Sequence, residues 1–168
     1  MRATLGRAGR ASSSMMRILR EDGYVVLGDV VPATTSRQAL AEVRTELAAL
    51  QASWGYPVRR FFDIVDSPRN RHSFPVSLTP GVDAAVRSIV GGTNASLFRE
   101  ICGDDGILVE LSALITFPGA RAQSLHTDIP FNALPECKET NAPPLCSVFV
   151  ALQDIDRDMG PTIIFKGT

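Results

Sequence analysis

A chain of 168 residues, 45% hydrophobic and 21% charged, has the composition of one globular domain and the length to bury a core, which excludes a wholly disordered protein. A net charge of −1 argues against general nucleic-acid binding, and no apolar run reaches the roughly 18 residues that a membrane-spanning helix needs. Cys102, Cys137 and Cys146 cannot all pair and match no zinc-ligand spacing, so they read as reduced thiols of an intracellular protein, cytoplasmic or organellar.

The first 20 residues carry five arginines (Arg2, Arg7, Arg10, Arg17 and Arg20) and no acid. The remaining 12 basic residues face 18 acids, so the body over residues 21–168 has a net charge of −6. Residues 1–20 thus form a basic tail. Its composition is that of an organellar targeting segment, of an unstructured tail, or of a start set ahead of Met15 and Met16; it has no apolar stretch of the secretory kind. Gly23 to Gly28 is a short β-rich run between glycines and predicts a strand. Thr35-Ser36-Arg37-Gln38 has the form of a capping box, and Leu40, Val43, Leu47 and Leu50 follow at helical spacing, which predicts an amphipathic helix over 34–52. The proline-punctuated stretch 53–80 reads mostly as loop. Val82–Val90 and Asn94–Cys102 read as short helices, and the glycosylation sequon Asn94-Ala95-Ser96 reads as the start of the second.

The pattern changes at Gly106. Ile107, Val109, Leu111, Ala113, Ile115 and Phe117 occupy alternate positions, with Glu110, Ser112 and Thr116 between them, which predicts a strand over 107–117 that buries its odd residues. Further strands are expected over 123–127, 147–153 and 162–166, with a proline-rich loop over 130–144. Helices first and strands later make an α+β fold. Asp154, Asp156 and Asp158 imitate the start of a calcium loop, but Met159 and Phe165 stand where that loop needs Gly and Glu, so a solvated turn with Gly160 in an unusual conformation is expected. Cys137 and Cys146 flank the loop either as idle thiols or as a regulatory disulfide.

His126 and Asp128 carry the chemistry. On a strand, residues two apart share a face, so an imidazole and a carboxylate project side by side, as in two-thirds of the facial triad of non-haem iron oxygenases. Alone, such a pair also occurs as a surface polar pair.

The order of several short motifs weights that choice. Asp22-Gly23-Tyr24-Val25-Val26-Leu27 opens the domain, and Phe117-Pro118-Gly119-Ala120 and Gln123-Ser124-Leu125-His126-Thr127-Asp128 follow. Val148 to Asp154 and Gly160 to Thr168 come last. From about residue 21 to the end this order resembles the phytanoyl-CoA dioxygenase family of Fe(II)/2-oxoglutarate oxygenases. The resemblance implies a double-stranded β-helix, or jelly roll, with the N-terminal helices packed on it. It implies His126 and Asp128 as metal ligands, Gln123 as a contact to 2-oxoglutarate or substrate, and Fe(II), 2-oxoglutarate and O₂ as reactants. The reaction implied is hydroxylation of an aliphatic C–H of a small molecule or lipid, with release of succinate and CO₂. By the family pattern the second iron histidine and the arginine that holds 2-oxoglutarate fall beyond Thr168, so a jelly roll lacking its C-terminal strands is expected. His72, the other histidine, reads as an exposed loop residue, and Arg121 precedes the iron strand, so neither is expected to substitute. Two readings stay open: an oxygenase by lineage, or a catalytically inactive jelly-roll fragment that acts as a binding module.

Overall fold

The computed structural model describes residues 8–54, 70–126, 128 and 146–167. Their elements, in order, are α1 (Ala8–Asp22), α2 (Ala33–Trp54), β1 (Arg71–Pro75), α3 (Pro80–Val90), a 3-10 turn (Gly92–Asn94), α4 (Ala95–Cys102), β2 (Ser112–Thr116) and a second 3-10 turn (Arg157–Met159). The arrangement is mixed α+β, as the order of periodicities predicts.

Helix α2 covers the expected 34–52 and extends beyond both ends. Its buried stripe is Ala39, Val43 and Leu47, with Leu50 at the margin. Leu40, expected to open that stripe, is only half-buried. Ala39 takes its place because α3 starts so close to it: a Cβ added to Gly81 would lie 2.8 Å from the Ala39 backbone nitrogen. The expected capping box lies inside the helix, where the Ser36 N–H donates to the Pro32 carbonyl at 2.9 Å. The Gln38 amide donates to Glu42 at 2.9 Å.

Glu42 joins α2 to α3. Its carboxylate accepts the backbone N–H of Gly81 at 2.8 Å and of Val82 at 3.2 Å, together with the Thr79 hydroxyl. These amides belong to the first turn of α3, which has no carbonyl of its own helix to meet them, so a side chain from another helix serves as the cap. Val82 and Ala85 of α3 then enter the core formed with Ala39, Val43 and Leu47.

Strand β1 falls inside the stretch read as loop, of which residues 55–69 lie outside the described residues. It pairs antiparallel with β2, with His72 opposite Ile115 and Phe74 opposite Ala113. Directly opposed residues share a face, and that face is turned to α2: Phe74 is fully buried in the core, and Ala113, Ile115 and Leu111 pack against it. The odd–even alternation therefore holds over Leu111, Ala113 and Ile115, which are half-buried between exposed Glu110, Ser112, Leu114 and Thr116.

The strand is shorter than its pattern. Beyond the ladder, single bonds from the Val76 N–H to the Leu111 carbonyl (3.1 Å) and from the Phe117 N–H to the Asn70 carbonyl (2.7 Å) continue the pairing by one residue at each end. Ile107 and Val109, expected inside, are exposed. A strand exists only as far as a partner runs beside it, and β1 has five residues. The same reason corrects the strands expected over 23–28, 123–127, 147–153 and 162–166. These segments are irregular in their described residues, where the sheet has two strands; Thr127 lies outside the described residues.

The C-terminal run is tied down by other contacts. Leu152 packs against the core, and the Arg44 guanidinium donates to Gln153 at 3.2 Å. Lys166 pairs with Asp22 at 2.8 Å, which raises the Lys166 pKa through their hydrogen bond, and the Gly167 N–H donates to the Asp22 carbonyl at 2.8 Å. Asp156 caps the turn Arg157–Met159 by accepting the Asp158 and Met159 amides, and Gly160 closes it at φ 68°. The calcium-like acids thus form a local turn, as their sequence predicts.

Residues 8–20 of the basic tail lie in α1, which runs on to Asp22. α1 packs on α4, burying Met16 while α4 buries Leu97, and Arg20 lies 3.7 Å from Glu100. Asn94 of the sequon is buried immediately before α4, consistent with a helix start. Among the described residues no helix is long and apolar enough to cross a membrane. The expected loop over 130–144, with Cys137, lies outside the described residues.

Candidate metal centre

Two contacts from β1 set the path from β2 to the candidate ligands. After Phe117, the Pro118-Gly119 turn folds back beneath Asn70. Gly119 has φ 87°, a backbone conformation that favours glycine, and a Cβ there would sit 2.9 Å from the Asn70 side-chain amide nitrogen, which would have to shift. Arg71, a buried cation on the first position of β1, then donates through Nη2 to the Arg121 carbonyl at 2.7 Å. This bond fixes the backbone two residues before Gln123, which is half-buried.

His126 and Asp128 do come together, although no strand holds them. The His126 Nδ1 lies 2.6 Å from the Ser124 carbonyl. A carbonyl only accepts, so Nδ1 donates there, which leaves Nε2 as the nitrogen that a metal would take. Nε2 faces Asp128 Oδ1 at 3.5 Å, with both side chains partly exposed. A basic nitrogen with its opposite N–H held by a carbonyl, set beside a carboxylate, is the donor set a divalent cation takes. The residues therefore fit a metal as two of its ligands. Among the described residues, no group of three or more His, Cys, Asp or Glu side chains is arranged to hold one.

His72 departs from its expected place. It is fully buried in β1 and meets the Phe117 ring edge-on, with centroids 5.6 Å apart and planes at 73°. Its alternation with Phe74 places it on the core side of the sheet, where a loop reading would have put it in water.

A family model described as phytanoyl-CoA dioxygenase matches residues 19–168. The chain belongs to this family. No curated protein and no solved structure gives a significant match. The family match spans the α2–α3 core, the β1–β2 sheet and the His126–Asp128 pair alike. Two contacts around the pair have no signal in the sequence pattern: Ser124, two residues from the histidine, meets it through its carbonyl, and Arg71 holds the Arg121 backbone upstream. Arg71 acts on a carbonyl 50 residues away, a pairing for which the sequence holds no local signal.

Proposed function

We propose that the protein is a non-haem Fe(II)/2-oxoglutarate-dependent dioxygenase that hydroxylates an aliphatic C–H of a small molecule or lipid, with His126 and Asp128 as iron ligands. One observation carries the assignment: in a chain of this family, the Ser124 carbonyl holds the His126 Nδ1 proton, and the basic Nε2 is turned to the Asp128 carboxylate. In this reading the short β1–β2 sheet is part of a jelly roll. Bound iron with 2-oxoglutarate supplies the oxidising power that O₂ alone lacks toward a C–H bond. The protein's own part is positional. Ser124 sets the imidazole tautomer, Arg71 holds the approach to the site through Arg121, and Gln123 offers an amide to 2-oxoglutarate or substrate.

Two protein ligands bind a divalent ion weakly, because three are needed to fix iron on one face. Titration of Mn(II) into the 168-residue chain, read by water-proton relaxation, is expected to show weak binding. The substitution His126→Ala weakens it by more than the roughly 10–100-fold that loss of an outer-shell partner costs. With Fe(II), 2-oxoglutarate and O₂ supplied, any succinate release is expected to be lost in His126→Ala. Equal Mn(II) affinity in the two proteins removes His126 as a ligand. Succinate release that persists in His126→Ala has the same consequence.

A further inference from the structure

We propose that Cys102 and Cys146 form a disulfide under mild oxidation, a covalent modification site that links the C-terminal end of α4 to the start of the segment 146–153. Their sulfurs lie 3.9 Å apart, although 44 residues separate them in sequence. Both side chains are half-buried thiols, open to a small oxidant but held by the surrounding structure. A disulfide needs the sulfurs at about 2.05 Å, so the proposal requires them to close the remaining gap. The pairing differs from the Cys137–Cys146 bridge that sequence proximity suggests, and it rests on the fold: α4 brings Cys102 to the chain just where it re-enters at Cys146.

The chemistry balances with a peroxide as oxidant. One thiolate attacks the peroxide O–O bond, forming a sulfenic acid and releasing water. The second thiolate attacks that sulfur, forming the S–S bond and expelling a second water. Two thiols thus lose two electrons and two protons, and one hydrogen peroxide becomes two waters. Burial, and secondarily the neighbouring Cys102 sulfur, push the Cys146 thiol up. Cys146 therefore rests as a thiol and reacts faster as pH rises. The closed loop carries β2 together with His126 and Asp128, so the bridge constrains that whole segment against α4.

Trypsin separates the three cysteines, because cleavage after Arg99, Arg121, Lys138 and Arg157 places them in peptides 100–121, 122–138 and 139–157. The full chain is treated with hydrogen peroxide, alkylated, digested without reductant and analysed by mass spectrometry. The expected product is peptide 100–121 joined to 139–157, lighter than the two thiol peptides together by two hydrogens, undiminished in Cys137→Ser and lost on reduction. Its thermal midpoint is expected to rise on oxidation and fall back with reductant. Capture of peptide 122–138 by either partner, a bridge between two copies, or three cysteines that stay fully alkylatable at an oxidant dose that bridges a reference dithiol would each overturn the proposal.

Discussion

The Glu42 carboxylate accepts protons from Thr79, Gln38, Val82 and Gly81, and its chemistry follows from those bonds. The hydrogen bond from the Thr79 hydroxyl leads in holding its pKa below the ordinary 4.5, against partial desolvation that pushes it up. A carboxyl whose folded pKa lies below its unfolded one favours the folded state when ionised. That contribution is complete above the ordinary value and disappears as pH falls through the folded one. Glu42→Gln is therefore expected to lower the melting temperature at neutral pH, and to flatten the loss of stability as pH falls below the ordinary 4.5. Thermal melts of both proteins across that range check it. Parallel acid limbs would show that Glu42 is not the cap that joins the helices. Gly81 belongs to the same device: an added Cβ would meet the Glu42 carboxylate at 2.7 Å and Ala39 backbone at 2.8 Å. Gly81→Ala should therefore force the two helices apart, at about 1–3 kcal/mol.

Among the elements, β1 links the helical core to the site. Phe74 is its core anchor, fully buried among the residues of α2 and α3, while Arg71 at the other end reaches Arg121. Phe74→Ala removes a packed ring that little can collapse to replace, and is expected to cost about 3–5 kcal/mol in urea unfolding. Against a typical domain stability of about 5–15 kcal/mol this is a large share. A cost under about 1 kcal/mol would mean that the ring is not packed as described. The sequence did not disclose this strand. It has five residues with one large apolar side chain, ends in Pro75, and gains its burial from a partner some 40 residues later. Helices α2, α3 and α4 were legible because helical hydrogen bonds are local and the apolar spacing reports the buried face. Even there Leu40 was mistaken for Ala39, since the closeness of α3 is a fact of packing and not of period. The site divides in the same way. His126 and Asp128 stand out by their spacing, whereas burial of His72 and the grip of Arg71 depend on contacts between distant segments.

At the scale of the whole molecule, apolar side chains at strand-like positions remain in water. Ile107, Leu108 and Val109 before β2, Val148 and Phe149 after Cys146, and Ile163, Ile164 and Phe165 near the end are all exposed, with Ile107 at 80%. Among the described residues the sheet has two strands, so both are edges with backbone groups open to another strand. The acidic bodies work against association: residues 21–168 carry −6 and repel their counterparts at low salt, although the five arginines of residues 1–20 bring the whole chain to −1. These opposing terms give a prediction with a sign. Light scattering between micromolar and millimolar protein should show association that grows with concentration and also with added salt, accompanied by binding of the dye ANS. Salt screens repulsion between the acidic bodies and leaves apolar contact intact. Were association driven instead by the arginines of residues 1–20 against the acidic body, salt would disperse it. A monomer at all concentrations with no ANS signal would mean that these apolar runs are covered in solution by the chain itself, as strands of a closed sheet would cover them.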